Sequence, residues 1–520
     1  MTLRHSSFAA LSGILLALAF PSFDLHFLAW IALCPLLYAL RDQSLKNGFW
    51  LGGITGLVYF AGTVHWVTNS VHFYGGIPLV PASLITLLLC AYLALYPALF
   101  GAAAVHLRNN RPGLFVIAAP ALWTTLELAR TYVFSGFPWS LLGYSQYRAL
   151  PVIQMADITG VYGVSFLIVL VNAAIAEFAL DRKKYRVLIA PALAMACVLG
   201  YGFWKLSLPE EKAAITVSVV QGNIEQAMKW DRAYQSQTFE VYKRLTREVL
   251  TQKPDLVIWP ETATPFYFNG GSLNDQAMTA DLVAFVRQNR VPILFGSPTY
   301  EVRPNRAIYG RNSAFLLAAD GHTDALYHKM HLVPFGEYVP LKSALFFIEK
   351  MVQAIGDFQA GDEYTVMTVP SQGRETKLCT VICYEIIFPD LVRRFVDNGA
   401  TVLTTVTNDA WFGRTAAPYQ HFSMAVLRAV ENRVPVARAA NTGISGFIDA
   451  KGTILSTTGL FTEAHLTRAI TPGSTKTFYT RYGDLFSYAC LLFTLVILTL
   501  ARKKAKPVHR FTAKPKKHTP

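Results

Sequence analysis

The sequence is poor in charge. Only 15% of its 520 residues are Asp, Glu, Lys or Arg, against 52% apolar. Soluble domains carry about 25% charged residues, so this composition excludes a wholly water-soluble chain and points to a large membrane-embedded part. Acidic residues are scarcer than basic ones, 33 against 47, which leaves a net charge of +14. That excess does not imply a nucleic-acid partner. Arg502, Lys503, Lys504, Lys506, Arg510, Lys514, Lys516 and Lys517 crowd the tail, and most of the remainder lies in short loops between apolar runs. Membrane topology explains charge placed in this way. Arg4 precedes an apolar run that ends in Ala17-Leu-Ala19, as a signal peptide would, but further apolar runs come immediately after it. An uncleaved first span is therefore expected.

Cysteine is nearly absent from the polar part of the chain. Cys34, Cys90, Cys197 and Cys490 fall in apolar runs, where a thiol acts as a small hydrophobe. Only Cys379 and Cys383 remain, both on the apolar run Lys377–Tyr384, which reads as a buried strand. Four residues along a strand span roughly 13 Å, too far for a disulfide, whose Cα atoms lie within about 7 Å. No second Cys or His pair has metal-like spacing, which argues against zinc. Cys383 is left as a candidate nucleophile.

Composition also divides the chain. Residues 1–208 read as a membrane domain, 209–483 as an ordinary globular domain, 484–501 as a last span and 502–520 as a basic tail. Eight candidate spans lie at about 7–22, 25–41, 48–68, 79–106, 114–134, 157–180, 186–206 and 484–501. Alternate loops hold the Lys and Arg: Arg41 and Lys46, Arg108 and Arg111, then Arg182 to Arg186, then the tail. The positive-inside rule places both termini in the cytoplasm and the large domain on the far side, periplasmic in a bacterium. Within the spans, Glu127 and Arg130 share one helix face and could pair, with plain helix packing as the alternative. His65, Trp66 and the turn Gly136–Trp139 lie near the predicted periplasmic surface, either as aromatic anchors or as a wall of a lipid-access groove.

In the large domain, β-branched runs recur at 215–221, 256–259, 293–296, 313–318, 378–383, 401–407, 436–440 and 446–449, with helical patterns at 236–252, 277–289 and 422–432 between them. This alternation predicts an α/β layered domain. Polar residues gather where strands stop. Glu261 follows Leu256-Val-Ile-Trp-Pro, Lys329 follows a hairpin at Asp320-Gly321, Cys383 ends its strand before Tyr384 and Glu385, and Asn408 opens Asn-Asp-Ala-Trp-Phe-Gly. Each has a bland reading on its own: a helix-start acid, a solvated lysine, a core thiol.

Together, and in this order, Trp259-Pro-Glu261, the stretch Lys329 to Pro340, Cys383-Tyr-Glu385 and Asn408 to Gly413 resemble the nitrilase (carbon–nitrogen hydrolase) superfamily. With spans before and after the domain, the whole chain resembles the bacterial apolipoprotein N-acyltransferases. The resemblance implies an αββα sandwich in the periplasm beside a multi-span helical bundle. It implies transfer of an acyl chain from a phospholipid, usually phosphatidylethanolamine, to the α-amine of a diacylglyceryl-cysteine lipoprotein. The motif matches place the base at Glu261, the lysine at Lys329, the nucleophile at Cys383 and a second carboxylate at Glu337. Tyr384 and Glu385 are expected to support the nucleophile.

That chemistry calls for no cofactor, metal or nucleic acid, and one copy of the chain suffices. A free thiol is only a few per cent thiolate at neutral pH and needs a base or cation nearby. A charged Lys329 fits oxyanion stabilisation, Glu261 fits proton transfer, and Glu337 fits orientation of the pair. Water would waste a thioester, so Trp230, Phe266, Tyr267, Phe268, Trp411 and Phe412 are candidate lining residues, with Asn408 on the substrate side. His328, His331 and His421 offer a weaker Cys–His alternative. Residues 341–355 carry helical apolar spacing and read either as core packing or as an interfacial helix. Two rivals remain at this point: a membrane-tethered amidase acting on a small soluble amide, and a non-enzymatic transporter or scaffold.

Overall fold

The computed structural model describes residues 2–209, 212–229, 231–302, 308–338 and 358–502. Trp230, the amphipathic segment 341–355 and the tail beyond residue 502 lie outside the described residues. Helices occupy the expected apolar segments, with Leu3–Leu18, Leu45–Val64, Leu79–Asn110, Phe115–Tyr132, Val161–Leu180, Ile189–Ser207 and Leu485–Arg502 as the long ones. By length and composition, the stretches Leu79–Asn110, Pro112–Ser135, Val161–Leu180 and Arg182–Ser207 are long and apolar enough to cross a membrane. The segment expected at 25–41 is broken instead into a short turn, His26–Trp30, and a short helix, Cys34–Ala39. Pro35 stands in the first turn of that helix, where its missing N–H costs nothing.

Small residues set the tightest helix packing. Gly48, Gly52 and Gly56 repeat every fourth position along Leu45–Val64 and meet the helix Leu79–Asn110 backbone to backbone. A Cβ on Gly52 would lie 2.0 Å from the Pro97 carbonyl oxygen, so only glycine permits this approach. Glu127 and Arg130 do not pair. Glu127 accepts from the Leu142 N–H at 2.7 Å and from Trp123 Nε1 at 3.0 Å. Arg130 donates to the carbonyls of Trp139 and Ser140. Both therefore hold the backbone of the 135–151 loop, whose polar groups need partners inside the bundle.

The large domain is built on two six-stranded sheets. The first contains β1 (Ile215–Gln221), β2 (Leu256–Ile258), β3 (Ile293–Val302), β4 (Ile308–Leu317), β5 (Thr323–His328) and β12 (Ala464–Ile470), in the order β12-β1-β2-β3-β4-β5. The second contains β6 (Val366–Ser371), β7 (Arg374–Ile382), β8 (Val402–Thr407), β9 (Val436–Ala440), β10 (Gly446–Ile448) and β11 (Ile454–Thr457), in the order β11-β10-β9-β8-β7-β6. Strand alternation assigns the faces. Val217, Val219, Leu256, Ile258 and Leu294 join one core with Leu378, Val381 and Leu403 of the other sheet. Val220, Val257, Trp259, Ile293 and Phe295 turn outward against the helices Gln235–Val249 and Leu273–Asn289. Helices Pro389–Asp397 and Ala417–Asn432 cover the second sheet, so the domain is an α/β sandwich of two sheets between helices.

Ala417–Asn432 is buried along nearly its whole circumference, because it lies between the sheet and the membrane helices. Gln420 accepts from Trp139 Nε1 at 2.7 Å, Glu431 accepts from the Val161 N–H at 2.9 Å, and Arg428 donates to Tyr144 at 3.0 Å. Arg433 pairs with Asp157 at 2.9 Å. These bonds fix the large domain against the bundle.

Candidate active site

The topology brings the C-terminal ends of β2, β5, β7 and β8 to one end of the sandwich. Parallel pairing of β1 with β2 and of β2 with β3, and likewise of β7 with β8 and of β8 with β9, makes this possible. The residues just past those ends are Glu261, Lys329, Cys383 and Asn408.

Glu261 is buried and accepts from Asn312 Nδ2 at 2.7 Å through Oε1 and from the Asn408 N–H at 2.8 Å through Oε2. Lys329, only 1% exposed, lies 3.9 Å from Glu261 Oε1 and 2.9 Å from Glu337. Burial opposes charge on Lys329, but Glu337 and Glu261 outweigh it and hold its pKa above the ordinary lysine value. Lys329 is therefore a fixed cation. Asn312, on β4, also donates to Glu337 at 3.0 Å, so one amide aligns both carboxylates.

Cys383 opens the turn after β7 with φ of +52°. A side chain in this left-handed region costs about 1–2 kcal/mol, and the strain turns the thiol out of the strand direction. Burial raises the Cys383 pKa, Glu261 adds to the rise, and Lys329 and a Thr407 hydrogen bond only partly oppose it. The resting group is a thiol rather than a thiolate, so attack needs a base. His421 does not provide it: its Nε2 lies 3.1 Å from the Cys383 carbonyl oxygen, not against sulfur. His421 is fully buried beside Asp409 and Arg438, and its own pKa is lowered by burial and by Arg438. A neutral ring donating from Nε2 braces the turn at Cys383. His328 bonds Ser313 at 2.7 Å and His331 lies over Phe388, with ring centroids 3.7 Å apart. No Cys–His pair forms among them.

Glu385 joins the two sheets at the site. Its carboxylate accepts from Tyr327 Oη at 2.7 Å, from the N–H groups of Met330 and His331 at 2.7 and 3.0 Å, and from the Ile382 N–H at 2.7 Å. The loop carrying Lys329 is thereby locked to the turn carrying Cys383. Glu385→Leu is expected to cost about 4 kcal/mol, since four buried donors lose their acceptor at about 1 kcal/mol or more each. Glu385→Gln, which keeps one acceptor oxygen, should lose less than half as much, measured by thermal unfolding in detergent.

His331 makes the site sensitive to acid. Burial and the Lys329 cation push its pKa down to about 4. The unfolded histidine binds its proton near pH 6.5, so stability present above that pH is lost as pH falls from 6.5 toward 4. His331→Asn is expected to remove about 2–3 kcal/mol of this acid-linked loss, read from melting curves at pH 7 and pH 4.5.

The aromatic residues separate into two groups. Phe412 meets Trp66 and Trp139 of the bundle, with ring centroids 4.8 and 5.8 Å apart, and Trp411 meets Tyr74 at 5.0 Å. Ser70 Oγ donates to the Trp411 carbonyl at 2.7 Å, and Tyr384 Oη reaches the Gly136 carbonyl at 3.4 Å. Phe266 and Phe268 do not line the site. They pack on Phe239, Phe295 and Phe315 in the core between the first sheet and its helices, and Tyr267 lies at the surface against Tyr300. The Pro265 turn carries them past the strand end onto the helix side. Asn408 Nδ2 donates to Gln226 at 2.6 Å, so its side chain braces the loop after β1.

Two site residues escaped the sequence reading. Asn312 was hidden in a strand, where its only signal is a polar residue at a buried position. Lys229 is fully buried and donates to the Glu261 carbonyl oxygen at 2.9 Å. Burial pushes its pKa down to about 7, against the opposing pull of Glu261 and Cys383.

Residues 12–174 match the apolipoprotein N-acyltransferase N-terminal domain and residues 216–479 match the carbon–nitrogen hydrolase domain. An apolipoprotein N-acyltransferase of Geobacter metallireducens is 43% identical over 97% of this chain and 96% of its own. Those of Pasteurella multocida and Haemophilus influenzae are 34% and 33% identical, each over 94% of this chain and over 94% and 93% of their own. Among solved structures, the amidase from Nesterenkonia sp. AN1 aligns over 53% of this chain and 98% of its own, at 18% identity and a TM-score of 0.38. With relatives this similar along almost its whole length, and family domains matching both its helical and its sandwich parts, the chain belongs to the apolipoprotein N-acyltransferase family.

Proposed function

We propose that the protein moves a fatty acyl chain from a phospholipid, through a thioester on Cys383, to the N-terminal amine of diacylglyceryl-cysteine apolipoproteins. The donor is the sn-1 chain of phosphatidylethanolamine, and the reaction is the last step of lipoprotein maturation. The enzyme crosses the bacterial inner membrane eight times, the segment His26–Ala39 as a broken helix, with both termini cytoplasmic and the sandwich domain periplasmic, and acts as a monomer. One observation carries the lipid reading over that of an amidase for soluble amides: the loop after Asn408 is clamped onto the bundle through Trp66, Trp139, Ser70 and Tyr74. A tether would not require such contacts. A cleft of about 520 Å³ lies at this junction, lined by Phe23, His65, Arg414 and Tyr419 among others.

In this mechanism Glu261 takes the thiol proton as sulfur attacks the ester carbonyl, then returns it to the lysophospholipid alkoxide. Lys329 and the Tyr384 N–H hold the oxyanion, each contributing about 3 kcal/mol to the barrier reduction. Glu337 and Asn312 keep Lys329 and Glu261 in register. Glu261 then serves as base for the incoming amine, so the cycle is ping-pong. Purified protein in phosphatidylethanolamine micelles should add one acyl chain to a diacylated lipopeptide with a free N-terminal cysteine, and none to its N-acetylated form. Hydrolysis of a short soluble amide without lipopeptide acylation would favour the amidase reading.

A further inference from the structure

The site holds a second buried lysine, and the two lysines stand in opposite surroundings. Lys329 has carboxylates at 2.9 and 3.9 Å. Lys229 has none within ion-pair distance among the described residues; its hydrogen bond is to the backbone carbonyl of Glu261. The charged and titratable groups that act on it are Glu261 and Cys383, and burial outweighs their pull and lowers its pKa to about 7. Paired groups whose surroundings drive them to opposite protonation states mark a division between cation and base.

The acyl-transfer cycle has a use for a second base. The acceptor arrives as an ammonium and departs as an amide, so its nitrogen gives up two protons while the N–C bond forms and the C–S bond breaks. One proton passes through Glu261 to the departing Cys383 sulfur. Glu261 carries one proton at a time, which leaves the other without an acceptor.

We propose that Lys229 is the second base of the site, taking from the acceptor amine the proton that Glu261 does not hold during aminolysis of the Cys383 thioester. The balance is then ammonium, thioester and Lys229 amine giving amide, Cys383 thiol and Lys229 ammonium, which returns its proton to solvent. The first half-reaction, from phospholipid to Cys383, needs only Glu261 and does not involve Lys229. The inference rests on the thioester reading above.

The test separates the two halves in the full-length enzyme. Wild type, Lys229→Met and Lys229→Arg are loaded from phosphatidylethanolamine and followed by intact mass, then mixed with a diacylated lipopeptide. Both variants should lose at least about tenfold less in loading than in aminolysis, since loading needs no second base. Their thioesters should then be lost to the lipopeptide about a hundredfold more slowly at pH 7, the effect expected of a missing general base. At pH 9 the lipopeptide amine is largely neutral, since α-amino groups titrate near 7.7–8.0. One base then suffices, and the deficit should shrink below about tenfold. Aminolysis at the wild-type rate in Lys229→Met overturns the proposal, as does an equal loss in both halves or a deficit unchanged at pH 9. Failure of wild type itself to load would instead sink the thioester reading.

Discussion

Cys383→Ala is expected to lower acyl transfer by at least about 10⁴-fold while leaving the protein folded. Removing the nucleophile from a site whose members act as a unit costs up to about 10⁶-fold in rate, with the remainder supported by oxyanion and binding contacts. The stability change should be small. Alanine accepts the φ of +52° at about the same cost as cysteine, and only a sulfur is lost from a buried position. Unfolding temperature should stay within a few degrees of wild type. Activity above about one part in a hundred would mean that the acyl chain reaches the amine without passing through sulfur.

Lys329→Met should reduce both activity and stability. Loss of an oxyanion donor lowers the rate by about 10²–10³-fold. Its removal also leaves the Glu337 and Glu261 carboxylates together, with Asn312 as their shared donor. A buried charge stripped of its partner destabilises by about 3–5 kcal/mol. The double variant Lys329→Met with Glu337→Gln removes that uncompensated charge, so it should regain most of the stability. It should regain none of the rate. Parallel recovery of both would mean that Lys329 only supports the fold.

The interior of the sandwich was legible and its rims were not. Every strand anticipated from β-branched runs, from Ile215–Gln221 to Gly446–Ile448, lies inside a sheet. The four outside those runs, β5, β6, β11 and β12, are the sheet edges, and of these only β5 was signalled, by the hairpin at Asp320-Gly321. An edge strand is half-solvated and carries polar residues, as in Thr323–His328 and Ala464–Ile470, so its alternation is weak. Helix Ala417–Asn432 begins five residues before its expected start at Phe422, because burial on all sides removes the amphipathic period.

At the site, Glu261, Lys329 and Cys383 were singled out by the family motifs that contain them, Trp259-Pro-Glu261, Lys329 to Pro340 and Cys383-Tyr-Glu385, and not by any local signal of their own. Asn312 and Lys229 were not. Their positions beside Glu261 come from tertiary pairing, of β4 with β3 and so with the β2 end, and of the loop after β1 with that same end, and nothing local encodes that. The Glu127–Arg130 pair did not form for a related reason: spacing placed the two on one face, but each found backbone groups of a distant loop.

The most direct test is the intact mass of purified protein incubated with phosphatidylethanolamine, for wild type beside Cys383→Ala. An increment of one acyl chain on wild type alone, removed by hydroxylamine, is the expected result. A wild-type protein that gains no acyl chain, although Cys383 still reacts with a thiol reagent, would contradict the thioester mechanism and favour hydrolysis of a small amide.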